Sequence, residues 1–324
     1  MTVKCDSGSD SGPEASSPST ASSAICTISS ASPIYQGGNS KEWFHFATLR
    51  YDPILLNSPE NTAASFNRPC PFYLLEHQWT RLKVANWCTS FYRKNDSQQS
   101  NGYSNPSTFL RSLLLTVRRW QQTHPNELGA ECLRIYVRTY ISGCVTTEVK
   151  PVPRIPLDAL FKTTFGIPSQ LPRTTEWTVT LDTQATSISE STMYKTSSRY
   201  PYYRARAHAG ILNPTAKKEV LLYNPEGKIL DGSSSTPYFY RDGKWVTARS
   251  SCGGLQGTSR RWALENGLAL EGVVSKDSLA VGEVVWFSGG SGGFFYARFV
   301  APEEGLAQPT AEMLRMVGVG MWDK

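Results

Sequence analysis

The chain has 324 residues, 40% of them hydrophobic, and a formal net charge of +6. That length can bury a large core and suits two domains or one large one. The charge is mild and the basic pairs Arg118-Arg119 and Arg260-Arg261 stand far apart, so the composition argues against a nucleic-acid partner and is compatible with a small anionic one. Seven cysteines without a C-x-x-C pair suit a reducing compartment better than a disulfide framework. The four histidines, His45, His77, His124 and His208, are scattered and give no metal-ligand spacing.

Residues 1–41 are rich in Ser, Thr, Ala, Gly and Pro, with too few large apolar side chains to offset the entropy of ordering them, and are expected to form a disordered tail. Lys4 is its only basic residue before Lys41, against Asp6, Asp10 and Glu14, the reverse of a transit peptide. No apolar run is long enough for a signal peptide or a membrane span, so a cytoplasmic protein without membrane contact is expected. From Glu42, a small α+β unit is predicted over 42–165. It holds a strand at Trp43 to Leu49, a helix from Tyr73 to about Tyr92, a helix from Ser107 to Gln122 started by Asn105-Pro106, and strands at Cys132 to Ile141 and Val145 to Val152.

Five prolines between Pro151 and Pro172 read as a connector. A larger unit is predicted over 172–324. Its strands fall at Trp177 to Leu181, Val220 to Tyr223, Pro237 to Tyr240, Lys244 to Val246, Val284 to Phe287 and Phe294 to Val300. Helices are expected at Arg199 to Ile211 and Thr258 to Glu265, the latter stopped by Asn266-Gly267. No internal repeat is visible, and two domains around a shared cleft is the economical arrangement.

Three features in this unit belong together chemically: Lys195 in Tyr194-Lys195-Thr196-Ser197-Ser198-Arg199-Tyr200, the acid of Asp231-Gly232-Ser233, and the Gly257-Thr258-Ser259 step that opens a helix. They supply an amine, a carboxylate and a set of anion donors. Separately, each has an ordinary reading: a solvated lysine, a turn aspartate, an N-cap.

Their order and spacing, with Val220 to Asn224, Gly227 to Ser233 and Trp245 to Thr247 between and around them, resemble the class IV pyridoxal-phosphate enzymes, the family of branched-chain and D-amino-acid aminotransferases and of aminodeoxychorismate lyase. The resemblance implies an α+β, two-domain fold type IV enzyme with pyridoxal 5'-phosphate between the domains. By it, Lys195 would join the cofactor carbonyl and move protons, and Asp231, one methylene shorter than the family's glutamate, would face the ring nitrogen. Tyr200 would lie near the phenolic oxygen. Thr258 and Ser259 would bind phosphate, helped by Arg81, although a generic surface arginine fits that position equally. Phe46-Ala47-Thr48-Leu49-Arg50 resembles a cleft strand of the family, so Arg50, Arg134 and Arg138 are unranked candidates for a substrate carboxylate. Gly289 to Gly293 is a further candidate anion loop, where Ser288 and glycines replace the usual asparagine.

Arg199, the Arg50-Tyr51-Asp52-Pro53 continuation and Arg260-Arg261-Trp262 resemble eukaryotic aminodeoxychorismate lyase-like proteins. The resemblance then implies conversion of 4-amino-4-deoxychorismate to 4-aminobenzoate and pyruvate, in folate synthesis, by a homodimer. A class IV aminotransferase or a non-catalytic homologue stays open as an alternative.

Overall fold

The computed structural model describes residues 43–88, 105–127, 131–140, 144–213, 215–302 and 310–314. The Ser-rich stretch 1–41 and the expected helical residues beyond Cys88 lie outside the described residues. The chain enters on β1 (Phe44–Tyr51), whose alternation turns Ala47 and Leu49 into an apolar cluster and Phe46, Thr48 and Arg50 the other way. A 3-10 turn capped by Asp52 and α1 (Pro59–Ala63), capped by Ser58, lead to α2 (Leu75–Cys88). Next comes α3 (Pro106–Thr123), where the Asn105 side chain accepts from the Ser107 N–H at 2.7 Å and Pro106 opens the first turn. Its Phe109, Leu113, Val117 and Trp120 recur every three or four residues and face inward.

The strands β2 (Leu133–Tyr140) and β3 (Val145–Pro151) complete an antiparallel sheet in the order β1-β2-β3. Its register sets Phe46 opposite Arg138, Thr48 opposite Tyr136 and Arg50 opposite Arg134. Directly opposed residues share a face, so Arg134 and Arg138 lie on the side of Phe46 and Thr48. The other face packs Leu133, Ile135 and Val137 with Leu82 of α2 and Phe109 and Leu113 of α3.

After the proline-rich connector, α4 (Leu157–Leu160) and Phe165 fold onto a second, larger sheet. The Phe165 ring stacks on Trp286 at 5.1 Å and tilts against Tyr238 at 5.0 Å. Truncating so buried an aromatic to Ala costs about 3–5 kcal/mol, so this contact is a main anchor of the connector. The segment's carbonyls are tied as well: Trp286 and Trp245 donate to Phe165 and Gly166 at 2.9 and 2.8 Å.

The larger part of the chain runs β4 (Thr178–Leu181), α5 (Glu190–Met193), α6 (Tyr200–His208), β5 (Lys218–Tyr223), β6 (Ile229–Gly232), β7 (Thr236–Arg241), β8 (Lys244–Ala248), α7 (Thr258–Glu265), β9 (Leu270–Gly272), β10 (Val284–Gly289) and β11 (Gly293–Phe299). Eight of these form one mixed sheet in the order β6-β5-β4-β11-β10-β7-β8-β9. Three neighbouring pairs, β4 with β5, β8 with β9 and β11 with β4, are parallel. A parallel pair cannot be joined by a hairpin and needs a crossover. Lys195 lies in the first crossover and Thr258 in the second, which is how distant stretches reach one side of the sheet. Asp231 is not in a turn: it sits in β6, paired with Leu222 of β5.

Candidate active site

Lys195 follows α5, whose Ser189 and Thr192 form a capping box. Its backbone is held like a strand. The Phe46 N–H donates to the Lys195 carbonyl at 2.9 Å, and the Ser197 N–H donates to the Phe44 carbonyl at 2.8 Å. The free edge of β1 thereby grips the lysine segment. From the same strand, Thr48 Oγ1 takes a hydrogen bond from Lys195 Nζ at 3.3 Å, and the Phe46 ring lies 4.9 Å from that nitrogen.

The amine sits in an unusual field. Burial, then the nearby guanidiniums of Arg81, Arg199 and Arg134, hold the Lys195 pKa well below its ordinary value, and only Asp231 opposes them. The shift favours the unprotonated amine, the form that serves as nucleophile and base. Arg81 is shifted in turn, down to about 10, by burial and by the charge of Arg199.

Asp231 is 4% exposed. Burial pushes its pKa up to about 8, with Glu219 adding to the rise, while Arg199 and the backbone N–H groups of Gly232 and Leu255 pull it down. Its Oδ1 accepts from the Gly232 N–H at 3.0 Å and its Oδ2 faces the Tyr202 hydroxyl at 3.5 Å. The serine run beyond it is fixed by Glu219. One carboxylate oxygen accepts from the Val220 and Ser233 N–H groups, at 3.0 and 2.9 Å, and from the Ser233 hydroxyl. The other accepts from the Ser234 N–H at 3.2 Å and from the hydroxyls of Ser234 and Ser235, both at 2.6 Å.

Arg199, at the start of α6, lies flat on the Tyr202 ring, 3.6 Å from its centroid, and donates to the Ser233 carbonyl at 3.1 Å. Its Nε and Nη1 are buried without a hydrogen-bond partner, as is Nε of Arg134. Buried guanidinium N–H groups without partners can receive anionic groups.

The other end of the site is the first turn of α7. The Thr258 hydroxyl is within 3.2 Å of Gln78 Nε2, and the Ser259 hydroxyl donates to the Gly289 carbonyl at 3.0 Å, tying the glycine loop to the helix. A Cβ on Gly290 would lie 3.0 Å from both Gln78 Nε2 and Thr258 Oγ1, so only glycine fits there without displacement. His77 and Gln78 join α2 to α7. The His77 ring meets the Thr258 carbonyl at 3.4 Å and Glu265 at 3.1 Å.

The structure thus gathers Lys195, Asp231 and Arg81 into one electrostatic neighbourhood and sets Thr258 and Ser259 beside the glycine loop. Tyr200 is not brought in: it stands 58% exposed on the first turn of α6, and Tyr202, two residues on, reaches Asp231 instead. Arg50 is 1% exposed, paired with Asp52 at 2.9 Å and donating to the Pro153 carbonyl at 2.9 Å. It is a buried fastening within the small sheet. Arg138 pairs with Glu148. Of the three arginine candidates, Arg134 is the one whose charge reaches Lys195.

Sequence reasoning passed over Thr48, Tyr202 and Gln78. Strand alternation from Phe46 marks Thr48, and the i, i+3 spacing to Arg81 marks Gln78, but Tyr202 carries no comparable signal.

A lysine held well below its ordinary pKa, a buried acid whose pKa is raised to about 8, and a glycine-lined helix start beside Arg81 fit the aldehyde, ring nitrogen and phosphate of pyridoxal phosphate. A solved Mesorhizobium loti structure described as a "Putative amino-acid aminotransferase" matches with a TM-score of 0.52 at 20% identity, over 80% of this chain and 100% of that one. The same fold is shared with a structure described as a "Putative 4-amino-4-deoxychorismate lyase", with a TM-score of 0.52 at 20% identity over 90% of this chain and 97% of that one. It is shared too with a Thermotoga maritima structure described as a "putative branched-chain amino acid aminotransferase", with a TM-score of 0.53 at 18% identity over 86% and 84%.

Residues 151–298 match the family model described as Amino-transferase class IV. The chain is also 27% identical over 249 residues to the "Aminodeoxychorismate lyase" of Saccharomyces cerevisiae, covering 67% of this chain and 65% of the relative. It is 33% identical over 124 residues to the "Putative aminodeoxychorismate lyase" of Schizosaccharomyces pombe, covering 37% and 53%. The chain therefore spans under two thirds of the length of either relative. Among the described residues, no helix is long and apolar enough to cross a membrane.

Proposed function

We propose that the protein is a lyase that converts 4-amino-4-deoxychorismate to 4-aminobenzoate and pyruvate, for folate synthesis. The observation that carries this reading is the buried Lys195 amine, bonded to Thr48 and held well below its ordinary pKa by burial and by Arg81, Arg199 and Arg134. The names of the two yeast relatives favour this reaction over amino transfer. So does the charge: a substrate with two carboxylates would use the unpartnered N–H groups of Arg134 and Arg199 while Arg81 and Thr258 hold a phosphate.

When bound, pyridoxal phosphate supplies an electron sink attached to the substrate's nitrogen. The protein's part is proton management and orientation. Lys195 Nζ, kept neutral, takes the proton from the substrate ring carbon that bears the amine, and Thr48 Oγ1 fixes the direction of the Nζ lone pair. The neighbouring carbon–oxygen bond breaks, the ring becomes aromatic, and the proton on Nζ passes to the departing enolpyruvate to give pyruvate. Asp231 brings to the site the proton that a ring nitrogen shares with it, since burial already keeps that carboxyl protonated near neutral pH. Arg134 and Arg199 orient the carboxylates.

The same reading sets the cofactor between a small unit, residues 42–165, and a larger one, residues 172–324, in a cytoplasmic homodimer. The dimer rests on the family resemblance, and the location on the composition and targeting signals of the sequence. In the test, purified protein with pyridoxal phosphate should release 4-aminobenzoate and pyruvate in equal amounts with no keto acid added, and should rescue a 4-aminobenzoate-requiring cell. Lys195→Ala should do neither. Product that appears only when a keto acid is supplied would mark an aminotransferase, and a Lys195→Ala protein as fast as the parent would sink the mechanism.

A further inference from the structure

Gln78 is fully buried at the junction of β1, α2, α7 and the Gly289–Gly293 loop. Its side-chain nitrogen lies 3.1 Å from the Thr48 carbonyl, 3.1 Å from the Gly290 carbonyl and 3.2 Å from Thr258 Oγ1. Its oxygen accepts from Arg81 Nη2 at 3.0 Å. An amide nitrogen has two hydrogens and no lone pair to offer, yet three oxygens surround it. Two of those are backbone carbonyls, which can only accept, and leaving either unpaired in a buried place is costly. Reversing the amide would set its oxygen against both carbonyls and its nitrogen against the guanidinium, so the orientation is fixed. The two hydrogens therefore go to Thr48 and Gly290, and Thr258 Oγ1 receives at most a share.

The consequence falls on Thr258. Its hydroxyl cannot donate to the amide nitrogen, so its hydrogen is directed away from Gln78 and is left for another acceptor at the start of α7, where the first-turn N–H groups are not used by an intrahelical bond. By the same amide, Arg81 is held through one nitrogen with its other donors left over. We infer that Gln78 is a positioning residue, one amide that turns the Thr258 hydroxyl and the Arg81 guanidinium together into donors for the cofactor phosphate. The Gly290 backbone supports this independently, because any side chain there would press on both Gln78 Nε2 and Thr258 Oγ1, at 3.0 Å. The inference rests on the pyridoxal-phosphate reading and adds to it a means of recognising the phosphate.

The test compares two ligands on the apo protein, pyridoxal phosphate and pyridoxal, which lacks the phosphate, by titration of cofactor absorbance. Gln78→Glu keeps the shape but presents an acceptor to both carbonyls and draws the Thr258 hydrogen toward itself. Its affinity for pyridoxal phosphate should fall about 10- to 100-fold, the loss of one or two charge-assisted hydrogen bonds, while its affinity for pyridoxal should change less than about threefold. Thr258→Val should show the same selectivity and serves if Gln78→Glu does not fold, which circular dichroism would reveal. In the double variant the losses should not add, since both act on one hydroxyl. A loss of equal size for both ligands, or for neither, overturns the inference while leaving the cofactor reading intact. A parent protein that does not prefer pyridoxal phosphate to pyridoxal overturns the phosphate site and the inference with it.

Discussion

Replacing Glu219 by Gln tests whether the serine run after Asp231 is held as the structure shows. The change keeps size and shape but exchanges one acceptor oxygen for an NH2 group. With the remaining oxygen toward Val220 and Ser233, the new nitrogen faces the Ser234 N–H, now 3.2 Å away donor to donor. That N–H is orphaned, at about 1–3 kcal/mol. The hydroxyls of Ser234 and Ser235 can rotate to accept, so they lose little, but the bonds kept by the other oxygen change from charged to neutral at about 1 kcal/mol each. Removing a buried charge returns part of this, so the net expectation is a destabilisation of about 2–3 kcal/mol. Equilibrium urea unfolding of the apo protein reads it as a lower midpoint at unchanged slope. A second readout follows from charge, since Glu219 helps raise the Asp231 pKa and the variant should titrate that carboxyl lower. A variant within about 0.5 kcal/mol of the parent, the ordinary range for a surface substitution, would refute the reasoning.

Two further outcomes are expected. The Lys195 pKa is held well below its ordinary value in the folded apo protein and is ordinary in the unfolded chain, so folding carries a penalty that is full below the folded pKa and fades as pH rises toward about 10.4. Lys195→Met should therefore be more stable than the parent near neutral pH, by a margin that narrows on the way to pH 10, and a margin that widens would contradict the sign. At Gly254 an added Cβ would sit 1.8 Å from the Leu230 carbonyl oxygen and 3.5 Å from Asp231 Cβ, so Gly254→Ala should displace β6. It should cost about 1–3 kcal/mol by overpacking and weaken pyridoxal-phosphate retention, measured by dialysis; retention equal to the parent's would show that β6 does not move.

The sequence made visible what depends on period and punctuation. The apolar spacing of α3 and its Asn105-Pro106 start, the aromatic strand at β1, and the Gly257-Thr258 helix start all appear in the structure close to the expected residues. Where tertiary context decides, the letters were silent. The strand β6 is four residues long and ends in Gly232, so Ile229 to Ser235 reads as turn chemistry until β5 pairs with it. The helix α6, Tyr-Pro-Tyr-Tyr-Arg-Ala-Arg-Ala-His, has no apolar stripe and yet buries Tyr202 and Ala205 against Val220, Leu222 and Leu230, while Arg206 and His208 meet polar partners in Ser233 and Asp182. That is also why Tyr200 and Tyr202 could not be told apart by spacing: helix phase, set by Pro201 and the Arg199 stack, turns the first outward and the second toward Asp231. Gln78 belongs to no chemical motif, and only three oxygens from remote segments give it meaning.

The grip of β1 on the lysine segment bears on when this enzyme acquires its chemistry. Thr48 and Lys195 are 147 residues apart in sequence, and β4, which begins the Lys195 crossover, pairs with β11 near residue 299. As the ribosome releases the chain, the first strand emerges long before its partner amine, and the sheet that fixes the amine cannot close until β11 is out. The surroundings of Lys195 are thus assembled last, and a chain cut short before β11 would carry the lysine without the environment that lowers its pKa.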